Sequence, residues 1–358
     1  MKTIIGTLIL IFLMITKSFS QELIDSVNPA KDKRAFQFTF IYPMGTNGIN
    51  AENYSNTVSF NLLGGLNGGV GAFELGAFAN VNKGDVIGFQ AAGFTNVNIG
   101  NKTGLQLAGF YNQNNVFNGC QYSGFLNNNI GETHGAQFAG FANVVCNNVK
   151  GAQLSGFANV AKDINGAQLT GFINVARKVK GVQLGFINFA DSVDGVSIGF
   201  LSFVKNGYNR LELGANESLF ANLTLKLGTQ HFYNIFTSGF KQINNTTYWS
   251  YGYGIGTMFV VRPKTNLNID FISQQVNANH FETNRLNLLN TARLNLSYEF
   301  AKHLELVAGP SFNVFVSEFD YKESIGTNSK FVPYCFYDQV HDNMSIKMYV
   351  GFNAAIRF

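Results

Sequence analysis

The sequence predicts an all-β fold, an antiparallel β-barrel carrying an internal β-repeat region with a period of 14–16 residues. Three observations predict it. One phrase, GxQxxGFxNV, recurs about nine times within residues 69–205. Segments on both sides of that region alternate between apolar and polar residues, the period of a strand with two different faces. The composition is 38 glycines, five prolines and only 13% charged residues. An ordinary soluble domain has about 25% charged residues, so this chain reads as strands and polar turns.

The N-terminus reads as an export signal. Lys2 is followed by an apolar run at residues 4–15, and Ser18 and Ser20 supply the small residues a signal peptidase reads. The run is shorter than the roughly 20 residues a spanning helix needs, and no cysteine near the cleavage point suggests a lipoprotein. Residues 1–20 are therefore a signal peptide, and residues 21–35 a polar lead.

Residues 36–66 hold two strands expected to belong to the barrel wall. Phe36, Phe38, Phe40 and Tyr42 alternate with Gln37, Thr39 and Ile41, and Val58, Phe60 and Leu62 alternate with Ser59 and Asn61. The link at 45–56, rich in Asn and Gly, reads as a loop.

The repeats at 69–205 admit two geometries. As solenoid coils, Ala152 with Leu154 and Ala158 with Val160 would point inward, and stacking would set Gln153 over Gln168 and Asn159 over Asn174 as amide ladders about 4.8 Å apart. As strands of a transmembrane barrel, Ala152, Leu154, Gly156, Ala158 and Val160 would face lipid, with Gln153, Ser155, Phe157 and Asn159 inside. The copies at Gly181 and Gly195 drop one residue before Phe186 and Phe200. That deletion would flip every later side chain of a single strand but is harmless at a coil corner, so it favours coils.

Residues 206–358 read as a series of longer barrel strands. Examples are Leu219 to Leu227, Trp249 to Ile255, Leu267 to Phe271, Ala292 to Phe300 and Leu304 to Val314, each with every second residue apolar. The last strand places Ile346, Met348, Val350, Phe352, Ala354, Ile356 and Phe358 on one face. Such a face is a poor edge for a soluble sheet and suits lipid, and strands of this length match the roughly 9–11 residues that cross a bilayer at a tilt. Val350, Phe352, Ile356 and the terminal Phe358 form a candidate C-terminal assembly signal of the outer-membrane type. Short turns at 228–231, 262–265 and 301–303 alternate with longer links at 241–247, 276–290 and 319–344, the asymmetry of a wall with a periplasmic and an extracellular side.

Chemistry is sparse. Lys226, Asp270, Arg293, Glu299, Glu305, Lys347 and Arg357 fall on the inward side of the C-terminal strands and are expected to form a lumen charge network, most simply a salt-bridged plug. A solute-selective constriction is the sharper reading of the same residues. His134, His231, His280, His303 and His341 sit in five separate turns without metal-ligand spacing. Ser238 with His280 or His341 is a conceivable hydrolase pair, but a barrel of this size offers such pairs by chance. No catalytic, cofactor or metal residue is assigned. Cys120, Cys146 and Cys335 leave at least one thiol unpaired, and Cys120 is expected to fill a small core slot. A net charge of +4 with scattered basic residues does not suggest nucleic-acid binding.

The GxQxxGFxNV units, the run GFLSFVKNGYNRLELGANE and the strands after it resemble the surface-repeat outer-membrane proteins of Bacteroidota, with related repeats in Leptospira. The resemblance implies an outer-membrane location, an all-β build, and the lipid bilayer and barrel-assembly machinery as partners, and it brings no reaction or ligand. The chain is thus expected to be a non-enzymatic outer-membrane surface protein, structural or contacting an unknown extracellular ligand. A small passive channel and, further off, a lipid-modifying hydrolase are the alternatives.

Overall fold

A computed structural model describes residues 32–243, 246–279, 285–318, 331–332, 334–341 and 343–358. The expected signal peptide, most of the polar lead and His280 lie outside the described residues. The chain divides into two units, residues 1–194 and 195–358.

The first unit is a parallel β-solenoid. Each repeat supplies two short strands separated by a Gly-Phe corner, such as Val149–Ser155 and Ala158–Val160. Each strand pairs in parallel with its counterpart in the neighbouring copies, so Gly119, Gly135 and Gly151 stack, as do Gln121, Gln137 and Gln153. The glycine column exists because of this stacking. Gly151 has φ +136°, and a Cβ there would lie 2.0 Å from the carbonyl oxygen of Gly135, so neither the backbone nor the space accepts a side chain.

The inside of the coil is polar. Gln153, Asn159, Gln168 and Asn174 are fully buried, while Ala152, Leu154, Ala158 and Val160 are only partly covered. The expected inward pairs are therefore corrected: the chain coils as a solenoid but turns inward the amides Gln153 and Asn159, which the barrel alternative had placed inside, while Phe157, placed inside by that same alternative, is exposed. An amide can be buried in this way because every coil offers an identical amide as partner. Cys120 shares the outer column with Leu105 and Ala136 and is not a core filler. Apolar packing survives beneath the charged turns, where Val149, Ile164 and Val179 meet Val145, Ala161, Ala176 and Ala190. The deletion in the Gly181 copy is absorbed at the Gly185-Phe186 corner, since Gln183 and Asn188 both remain buried.

The two N-terminal strands belong to this solenoid. Asp32–Ile41 pairs in parallel with Tyr54–Asn67, which continues in parallel onto Gly69–Gly76 and Ala79–Asn82. Their apolar face points outward, with Phe36 and Phe38 exposed and Gln37 and Thr39 buried.

The second unit begins with the end of the last repeat and continues as a nine-stranded antiparallel sheet. Arg210–Asn216, Ala221–Gly228, Tyr233–Ile243, Thr246–Arg262, Thr265–Ala278, Asn287–Ala301, Leu304–Glu318 and Met344–Arg357 pair in that order. The other edge of Met344–Arg357 takes Tyr337–His341 along its first half and Arg210–Asn216 along its second. Short turns fall where expected, but the 241–247 link shrinks, because Tyr233–Ile243 and Thr246–Arg262 extend into it. The long–short alternation is weaker than the sequence suggests.

The expected fold class, an antiparallel outer-membrane barrel with an inserted repeat region, is thereby corrected. The chain is mainly a parallel solenoid with a separate antiparallel sheet, and neither N-terminal strand joins that sheet. The physical reason is that period-two alternation marks a strand with unlike faces and says nothing of whether its neighbour runs parallel or antiparallel.

Candidate functional site

In the antiparallel unit, side chains on one side of each strand converge into a polar interior while those on the other side are apolar and exposed. Along Asn287–Ala301, Arg293, Asn295 and Ser297 are buried, whereas Leu294 and Leu296 are 47% and 54% exposed. Val350, Phe352, Ile356 and Phe358 all lie on the exposed face.

Near the short-turn end the interior holds an ion network. Glu212 and Arg357 are cross-strand partners, and Arg357 Nε donates to Glu212 Oε1 at 2.7 Å while Nη1 donates to Glu305 Oε2 at 2.8 Å. Lys226 Nζ lies 3.0 Å from Glu212 Oε1 and 2.7 Å from Asp270 Oδ2. The Tyr233 hydroxyl donates to Asp270 Oδ1 at 2.6 Å. Asn268 Nδ2 reaches the hydroxyls of Tyr208 and Tyr233, and its Oδ1 accepts from Arg357. Three carboxylates thus meet two buried cations, with Arg210 Nε 3.6 Å from Glu305 at the rim. Every partner is hydrogen-bonded, the condition for holding charges in a low-dielectric interior. The network cross-links strands, and its carboxylates and cations are engaged with one another rather than held ready to transfer a proton.

The expected charge set is thus partly assembled. Lys226, Asp270, Glu305 and Arg357 come together. Arg293 is buried nearby, opposite Asp270 and Ser311 in the strand register. Glu299 is half-buried opposite Glu305. Lys347 lies ten residues before Arg357 on the same strand and pairs with Asp338 at 3.1 Å. Glu212, Tyr208, Tyr233 and Asn268 were missed, although Glu212 between Leu211 and Leu213 carries the same alternation signal as the residues that were found. Toward the longer links the interior becomes apolar, with Leu219, Tyr248, Val276, Leu289, Phe315 and Tyr349 in one cluster. Ser238 points to the exposed face, away from this interior.

The solenoid carries two further arrays. Inside, Gln106, Gln121, Gln137, Gln153, Gln168 and Gln183 each donate to the glutamine of the preceding coil. The asparagine column from Asn80 donates the other way, to the following coil, and each asparagine also donates to a backbone carbonyl, as Asn143 does to Leu154 O at 2.7 Å. The glutamine ladder ends on Glu74, which occupies the glutamine position of its own coil. Glu74 Oε1 accepts from Asn61 and Asn67, and Oε2 from Asn82 and Gln90. Burial pushes its pKa up to about 7, against the opposing effect of the four amide donors. Lys102, two coils on, is buried with Nζ on the carbonyls of Gly88 and Thr103, and burial lowers its pKa to about 8 while Glu74 opposes the shift.

Outside, Phe78, Phe94, Phe110, Phe125, Phe141, Phe157, Phe172 and Phe186 form one continuous stack at the coil corners. Centroid spacings run from 4.8 to 6.0 Å, with rings within 17° of parallel. All but one of the links are at most 5.0 Å, close to the strand spacing itself.

Among the described residues no group of three or more His, Cys, Asp and Glu side chains is placed to hold a metal ion, and no disulfide joins the three cysteines. Compared with protein-family models, with curated proteins and with solved structures, the chain matches none.

Proposed function

We propose that this is a non-enzymatic outer-membrane surface protein, in which the antiparallel unit is seated in lipid and the solenoid is a rigid structural or contact surface. The observation that carries this reading is the inversion of the antiparallel unit. Charged and amide side chains fill its interior while Leu213, Leu223, Phe271, Leu296, Leu306 and Phe352 are 49–60% exposed. In water such a surface is a large apolar patch that calls for a partner. Against acyl chains it is the lower-energy arrangement, since backbone groups are paired in the sheet and polar side chains are kept from hydrocarbon. The export signal read at residues 1–20 and the aromatic C-terminal strand agree with that location. The solenoid adds the stacked phenylalanine row, a rigid apolar surface suited to contact with an extracellular ligand or a neighbouring surface component.

Cell fractionation tests the reading. The chain should sediment with outer membranes and resist extraction by alkaline carbonate. Lys162, on an exposed solenoid turn, should react with a membrane-impermeant amine reagent on whole cells if the solenoid faces outward. A product recovered in the soluble periplasmic fraction would exclude the proposal.

A further inference from the structure

The polar-inside, apolar-outside arrangement is not confined to the antiparallel unit. In the solenoid the glutamine and asparagine columns are fully buried, while the rings of the corner row from Phe78 to Phe186 are 38–52% exposed. Beside that row, on the outer side of the first strand of each coil, Leu105, Tyr122, Val182 and Leu184 are 36–42% exposed. A coil built for water would be arranged the other way round, with apolar ladders inside and amides outside.

Charge is segregated along the same coils. In every coil from Gly88 to Phe186, the stretch between the strand glycine and the corner phenylalanine carries no charged side chain. The charges gather at the opposite edge, where Lys150, Lys162, Arg177 and Lys180 are exposed. The corner backbone is also paired from coil to coil: the N–H of Phe110 donates to Phe94 O at 2.9 Å, that of Phe141 to Phe125 O at 3.0 Å and that of Phe157 to Phe141 O at 2.9 Å. Paired backbone is the condition hydrocarbon imposes on any segment that enters it. From Lys150 to the corner end of Val149–Ser155 the extended chain covers about 17 Å. That is close to the roughly 15 Å of hydrocarbon in one leaflet.

We propose that the solenoid dips into one leaflet of a phospholipid bilayer by its phenylalanine edge and first-strand face, with its charged turns left at the headgroups. The second-strand side is not part of this face, since Gln113 and Asn128 stand in its outer column. A second copy fits less well. A stable protein interface takes about 800 Å² from each partner, whereas the row is a ridge one ring wide, which fluid acyl chains cover and a rigid partner does not. The crease lined by Tyr122, Phe138, Leu154 and Leu184 runs along the stack and suits an extended acyl chain. The inference rests on the membrane location proposed above but on no residue of the antiparallel unit, and reporters in both units let the two readings fail separately.

The test uses the full chain carrying Trp249→Phe, which removes its one tryptophan, reconstituted in phosphatidylcholine vesicles. Single reporters are introduced by Phe141→Trp, Phe157→Trp, Leu184→Trp, Lys162→Trp and Leu296→Trp. Leu184→Trp leaves the phenylalanine row intact, so the outcome does not hinge on the row accepting a larger ring. The quenchers are lipids brominated near the chain ends, lipids brominated near the headgroup, and aqueous iodide. The reporters at 141 and 157 should be quenched most by chain-end bromines, and those at 141, 157 and 184 should be about tenfold less sensitive to iodide than the one at 162. Iodide access at 141, 157 and 184 equal to that at 162 overturns the proposal. Shielding of those three from iodide and bromines alike overturns it too, because that is the signature of a protein partner. If lipid quenches only the reporter at 296, the membrane reading stands and this inference falls; if lipid quenches only the solenoid reporters, the solenoid enters the leaflet and the seating of the antiparallel unit falls.

Discussion

Gln90 Nε2 donates to Glu74 Oε2 at 2.8 Å, and through that bond the glutamine ladder of the solenoid ends on a carboxylate. Each glutamine from Gln106 onward in the ladder passes its donor toward the N-terminus, so the aligned amide dipoles point their positive ends at Glu74. The neighbouring asparagine column donates the opposite way, as Asn80 does to Asn96.

Glu74 should make the solenoid's stability depend on pH. Its folded pKa, about 7, lies above the ordinary carboxyl value of 4.5, so between those values the folded chain holds a proton that the unfolded chain releases. Stability from this group is complete below about 4.5, declines as the pH rises through 7, and is level above it. The displacement corresponds to an effect on the order of 3 kcal/mol. Urea midpoints of wild type and Glu74→Gln measured from pH 4.5 to 8 should converge in slope only above 7, with the variant flat through the lower window. Lys102 acts in the opposite sense at higher pH, its lowered pKa giving stability that rises between about 8 and 10.5.

The inverted coil predicts an inverted mutational pattern. Asn143→Ala strands the Asn127 donor, the Leu154 carbonyl and the Asn159 acceptor in a buried site, and should cost about 2–4 kcal/mol. Phe141→Ala, two residues earlier on the outer row and 38% exposed, loses stacking on Phe125 and Phe157 and should cost about 1 kcal/mol. Equilibrium denaturation of the two variants decides it. A larger loss for the phenylalanine would mean that the amide ladder is not the stabilising core.

In the antiparallel unit, Lys226→Met leaves Asp270 and Glu212 buried without their shared cation and should destabilise by about 3–5 kcal/mol. Lys205→Met, at an exposed position, should change stability by less than about 0.5 kcal/mol. Protease resistance of the detergent-solubilised chain across a urea series would compare the two.

How much of this was legible follows from what each signal encodes. The repeat columns disclosed the coils, the Gln153 and Asn159 ladders and the corner deletion at Gly185, because stacking needs identical residues at identical positions. They did not disclose which face is inside, since alternation between Leu154 and Ser155 is the same for either orientation. The inward charges Lys226, Asp270 and Arg357 were readable from strand parity, whereas Tyr208 and Tyr233 were not, because a tyrosine suits a lipid-facing girdle as well as a polar interior. Pairing direction was the least legible of all. Phe36, Phe38 and Phe40 mark a strand, but their parallel pairing onto Val58 and Phe60 depends on the next coil, not on the strand itself.

The most direct test of the membrane reading is the lipid exposure of alternate residues along Asn287–Ala301. Single spin labels at positions 293 to 298, on a background with Cys120, Cys146 and Cys335 replaced by serine, would be measured in the full chain in lipid vesicles. Collision with dissolved oxygen and with a water-soluble nickel complex reports hydrocarbon and water contact respectively. The account predicts a period of two, with labels at Leu294, Leu296 and Tyr298 rich in oxygen and shielded from nickel, and labels at Arg293, Asn295 and Ser297 low in oxygen contact. Free access of nickel to the labels at Leu294, Leu296 and Tyr298 would contradict it.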